Sequence, residues 1–81
     1  MKEEQIITKL TEIFREVFDD DSITISRKTT AGDIEDWDSL EHITLVGAVE
    51  NAFHIRFRMQ EVSTMRNVGD MIDIIAERNR K

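Results

Sequence analysis

The stretch DSLEHITLVGAVENAF, residues 38–53, decides how this chain is read. Asp38 offers a carboxylate to the unpaired N–H groups of a first helical turn, and Glu41, three residues on, completes a capping box. A helix is therefore expected from Ser39 to Phe53. Leu40, Ile43, Val46, Val49 and Phe53 form the stripe expected to be buried, and Leu45, Ala48 and Ala52 widen it, which places this helix centrally among its neighbours. Gly47 lowers the local helix propensity and is expected to permit a close contact.

On the N-terminal side, EEQIITKLTEIFREVF spaces Ile6, Leu10, Ile13, Phe14 and Val17 at three and four residues, with Glu3, Glu4, Lys9, Glu12 and Glu16 largely opposite. This is a first amphipathic helix, its early acids suited to the helix dipole and DDDS at residues 19–22 suited to ending it. From Asp19 to Asp38 no helical period survives. SITIS alternates like a strand, but no second strand exists to pair with it, so the segment is read as extended loop, with Ile23, Ile25 and Ile34 as apolar anchors. On the C-terminal side a short helix is expected around Arg58 to Ser63. A last helix opens at an Asn67 cap with Asp70 in the reciprocal position and buries Val68, Met71, Ile72 and Ile75, while Arg78, Arg80 and Lys81 complement its C-terminal dipole. The fold class is all-α: a small four-helix bundle of three main helices and one short one, with a long loop between helices 1 and 2, spanning residues 1–81 as one domain.

Bulk composition narrows the function. The 81 residues include no Cys and no Pro, so neither a disulfide nor a Cys-based zinc site stabilises the chain. No apolar run approaches the ~20 residues of a membrane span, and a soluble, untargeted, cytoplasmic monomer is expected. The net charge of -6 is uneven: residues 1–50 carry 13 acids against 5 Lys and Arg, and residues 51–81 carry 4 against 6. Nucleic acid is an unfavourable partner for such a surface, whereas basic protein surfaces are drawn to it.

Several residues invite chemistry. A Ser before an apolar helical run is ordinarily a cap; here Asp38 can cap instead, leaving Ser39 a free hydroxyl at the positive end of a helix. His42, three residues later, could act as its base, but no nucleophile-elbow motif is present and a partly exposed helix-surface role suits His42 better. The acids fail the calcium-loop template: counting from Asp19, positions five and twelve are Ile23 and Thr30, and from Asp36 they are Leu40 and Gly47. His54 has no second ligand at a recognisable spacing, and no metal site is expected. Trp37 either packs the loop onto the bundle or joins a binding surface, and its large ring favours packing.

WDSLEHITLV, within the order helix, long loop, D-S-L, a helix ending in Phe, a short helix and a final helix opening at NVGDMIDII, resembles the acyl carrier proteins and related peptidyl carrier domains over essentially the whole chain. The resemblance implies a carrier and not an enzyme. It implies that a phosphopantetheinyl transferase attaches 4'-phosphopantetheine from coenzyme A to Ser39, and that the terminal thiol holds acyl or aminoacyl groups as thioesters for acyl-loading and acyl-processing enzymes. Asp38, Leu40 and Glu41 match the positions flanking the modified serine, and with Ile43 and Trp37 they are the expected partner-recognition residues. An acyl cleft is expected among Val46, Phe57, Met59, Val62, Met65 and Met71, with Ile43 near it as well; the bland alternative for all of them is plain core. Only Glu41 and Glu50 are acidic after Ser39 on the second helix, while Arg56 and Arg58 follow it, a departure from fatty-acid carriers that points to a polyketide, nonribosomal-peptide or other dedicated pathway. A helical interaction module that keeps the carrier fold and carries nothing is the alternative.

Overall fold

The computed structural model describes residues 2–79 and is all-helical: α1 (Glu3–Val17), α2 (Ser39–Phe53), α3 (Met59–Thr64) and α4 (Val68–Arg78), with a 3-10 turn at Ala31–Asp33 inside the long loop. Arg80 and Lys81, expected to complement the α4 dipole, lie outside the described residues. No described helix is long and apolar enough to cross a membrane.

The core follows from periodicity. Ile6, Leu10 and Phe14, four residues apart, face inward from α1, where they meet Leu45, Val49 and Phe53 of α2 and Val68, Met71, Ile72 and Ile75 of α4. Each fully buried Leu, Ile, Phe or Met contributes about 2 kcal/mol relative to exposure. Ile13 and Val17 are only half-buried, and Phe18 is buried in their place.

The buried face of α2 differs from the expected one. Leu40 and Ile43 are 70% and 66% exposed, whereas Leu45, Val46, Val49 and Phe53 are buried. At about 100° per residue, Ile43 and Leu40 stand roughly 120° and 180° around the helix from Val49. Because α2 carries apolar residues on both sides, its sequence does not select the side that meets α1. Gly47 likewise stands on the exposed side with nothing within 4 Å of an added Cβ, so it serves no close contact.

The loop forms no strand. Ile23 is buried, Ile25 and Ile34 half-buried, and the Arg15 guanidinium donates to the Ile23 carbonyl at 2.8 Å. Its backbone also caps α4: Val68 N–H donates to Thr29 O and Gly69 N–H to Arg27 O, both at 2.9 Å. These are first-turn donors that the helix itself leaves unpaired. Asn67 accepts from Asp70 N–H as expected, but the Asp70 carboxylate turns to Arg66 N–H at 3.0 Å instead of completing the box. The close approach of loop and helix requires Gly69, where an added Cβ would lie 2.9 Å from Arg27 O.

Candidate functional site

Ser39 is the first residue of α2 and is exposed. The cap belongs to its neighbour, since Asp38 Oδ1 accepts from Glu41 N–H at 2.9 Å. The reciprocal half of the expected box does not form: Asp38 N–H donates to Asp36 O at 3.1 Å, so the Glu41 carboxylate is not needed there. The Ser39 hydroxyl takes no part in this cap and stands at the open, positive end of the helix.

Behind Ser39 opens a cavity of about 390 Å³ whose walls include Trp37, His42, Val62, Met65, Arg66 and Met71. Of the expected cleft residues, Val62, Met65 and Met71 line it. Val46 is buried and Phe57 half-buried without reaching it. Met59 is 87% exposed, a correction with a simple cause: α3 offers the cavity its C-terminal half, and Met59 begins the other end. Ile43, on the solvent side of α2, is also outside it. A wider depression of about 600 Å³, lined among others by Glu61, Arg66, Asp70 and Asp73, does not include Ser39.

Trp37 is 8% exposed and packs edge-on against Phe14, with ring centroids 5.2 Å apart and an interplanar angle of 87°. This burial ties the residue two before Ser39 to the C-terminal end of α1. Its indole N–H donates to His42 Nδ1 at 3.0 Å, and His42 Nε2 lies 3.1 Å from the Val62 carbonyl. Both imidazole nitrogens are thus engaged away from Ser39, which leaves none to act as its base. The sequence reading missed this placement of His42. The signal was present, because His42 continues the Leu45, Val49 and Phe53 row at helical spacing.

Little of α3 is held by burial. None of its residues is buried, and its other polar anchor is the Glu61 carboxylate, which accepts from Arg78 at 2.6 and 2.7 Å and from Arg58 N–H at 2.8 Å. The Arg78 guanidinium, with Arg58 N–H second, holds the Glu61 carboxyl below the usual glutamate range. Glu50 is also engaged, accepting from Phe57 N–H at 2.7 Å. Among the described residues Glu41 is then the acid of α2 whose carboxylate has no partner, beside the exposed Leu40 and Ile43. Among the described residues no group of three His, Asp or Glu could hold a metal ion.

The chain is 34% identical over 76 residues to an acyl carrier protein of Acidothermus cellulolyticus, a match covering 94% of this chain and 90% of the relative. It is also similar to the solution structure of a holo acyl carrier protein from Geobacter metallireducens, with a TM-score of 0.83 and 44% identity over 89% of this chain and 83% of that one. No protein-family model matches.

Proposed function

The chain belongs to the acyl carrier protein family, and from that premise we propose that it carries acyl or aminoacyl groups on a 4'-phosphopantetheine arm attached to Ser39, within a dedicated biosynthetic pathway. The observation that carries the reading is the division of labour at the start of α2, where Asp38 caps and the neighbouring serine hydroxyl is exposed and uncommitted. The site fits such a group: a phosphate on Ser39 would meet the positive end of α2, and the cavity lies beside the same residue. When attached, the arm supplies the thiol for thioester linkage that a chain without Cys lacks.

The chain's own residues bind and orient. Asp36, Asp38 and Glu41 present carboxylates near the attachment point, which favours approach by a basic surface on a phosphopantetheinyl transferase. Leu40 and Ile43, exposed one turn apart, offer apolar contact to the transferase and to acyl-loading and acyl-processing enzymes. With Glu50 tied to Phe57 N–H and Arg56 and Arg58 exposed just beyond α2, partner choice rests on apolar fit with few charges. That supports a pathway with its own enzymes.

Incubation with coenzyme A, magnesium and a broad-specificity transferase should add one phosphopantetheinyl mass, and Ser39→Ala should abolish the gain. No mass gain across several transferases would overturn the reading in favour of a non-carrying interaction module.

A further inference from the structure

We propose that His42 is a positioning residue that latches α3 across the cavity beside Ser39 and so governs whether a carried group lodges inside. The proposal rests on the carrier function proposed above. Trp37 Nε1 can only donate, so His42 Nδ1 accepts from it at 3.0 Å, and the ring proton sits on Nε2, which donates to Val62 O at 3.1 Å. Val62 O is one of the last four carbonyls of α3, which have no partner within the helix. His42 therefore caps α3 from another helix, and the same ring, stacked on Trp37 at 5.8 Å between centroids, secures the loop just before Ser39.

The latch matters because α3 has few other holds. No α3 residue is buried; Phe57 and Met65, just outside it, pack half-buried on the core, and Arg78 grips Glu61 from the α4 side. Among the described residues, the His42 hydrogen bond is the polar tie on the side facing α2, and Trp37, His42 and Val62 all line the cavity. One neutral hydrogen bond is worth net about as much as one buried methylene. A carried group that buries a few methylenes against Trp37, Met65 and Met71 therefore outweighs the latch, whereas a short or charged group does not. In this way the latch sorts cargo held inside from cargo left exposed.

Hydrogen exchange followed by nuclear magnetic resonance on the unmodified full chain tests the latch. His42→Leu should speed exchange of the Trp37 indole N–H and the Val62 amide by about tenfold, while the Leu10 and Ile72 amides hold. His42→Asn, whose oxygen can stand where Nδ1 stood, should keep the indole protected and release α3. His42→Gln, which reaches the Nε2 position, should keep α3 and release the indole. A merely space-filling histidine would not split the two signals. Wild-type exchange at both sites in His42→Leu would overturn the latch. With an octanoyl-pantetheinyl group attached and confirmed by mass, the wild-type indole signal should move to its position in His42→Leu; an unmoved signal would overturn the sorting role. Failure of attachment, with the exchange split intact, would remove the carrier function and leave the latch standing.

Discussion

Replacing Gly69 and Gly47 by alanine should shift stability in opposite directions, although both glycines sit in helices. At Gly69 the new Cβ would lie 2.9 Å from Arg27 O, 3.1 Å from Asn67 Oδ1 and 3.3 Å from Arg27 Cβ. The first is a backbone atom that also accepts Gly69 N–H at 2.9 Å, and the second is the oxygen that caps Asp70 N–H. Neither can retreat without loosening a bond at the start of α4, the first fastening the loop to the helix and the second capping it. Overpacking of this kind costs about 1–3 kcal/mol and a weakened hydrogen bond about 1 kcal/mol, against about 1 kcal/mol recovered from better helix propensity. The net loss is about 1–3 kcal/mol, or a fall in Tm of about 5–20 °C for a domain of this size. At Gly47 nothing lies within 4 Å of the new Cβ, so only the propensity gain remains, and Tm should rise by about 3–6 °C. Thermal and urea unfolding monitored by circular dichroism measure both. A Gly69→Ala protein as stable as the wild type would refute the close approach of loop and helix at this position.

Three further outcomes are expected. Asp38→Ala should lower unfolding free energy by about 1 kcal/mol, whereas Ser39→Ala should change it by less than about 0.5 kcal/mol, as urea titration of the two unmodified variants will show. His54 ends α2 with φ 57 and ψ 46, a left-handed conformation that favours glycine, so His54→Gly should raise stability by about 0.5–1 kcal/mol in the same assay. Glu61 has its pKa lowered from the ordinary 4.5, first by the Arg78 hydrogen bonds. A carboxylate depressed in the folded state contributes stability that is complete above its unfolded value and lost as pH falls through the folded one. The stability gap between wild type and Glu61→Gln should therefore be full at neutral pH and close below about 4.5; a gap independent of pH would contradict the Arg78 pairing.

What the sequence by itself determined is local. Helix starts and stops depend on side chains within a turn of the boundary, so Asp38 and Asn67 announced α2 and α4, and the 3.6-residue period announced the buried row of α1. The separation of cap from free hydroxyl at Asp38 and Ser39 is local in the same sense. Tertiary packing decided the rest. Whether Leu40 or Leu45 faces α1 depends on which side of a doubly apolar helix meets its neighbour, and only the assembled core exposes Leu40 and Ile43. His42 became a bridge because the buried Trp37 on one side and the Val62 carbonyl, twenty residues away, on the other converge on one ring. Gly69 matters because a carbonyl forty-two residues earlier closes on it. Such pairings join groups far apart in the chain, and no periodicity within a segment encodes which distant carbonyl will need a donor.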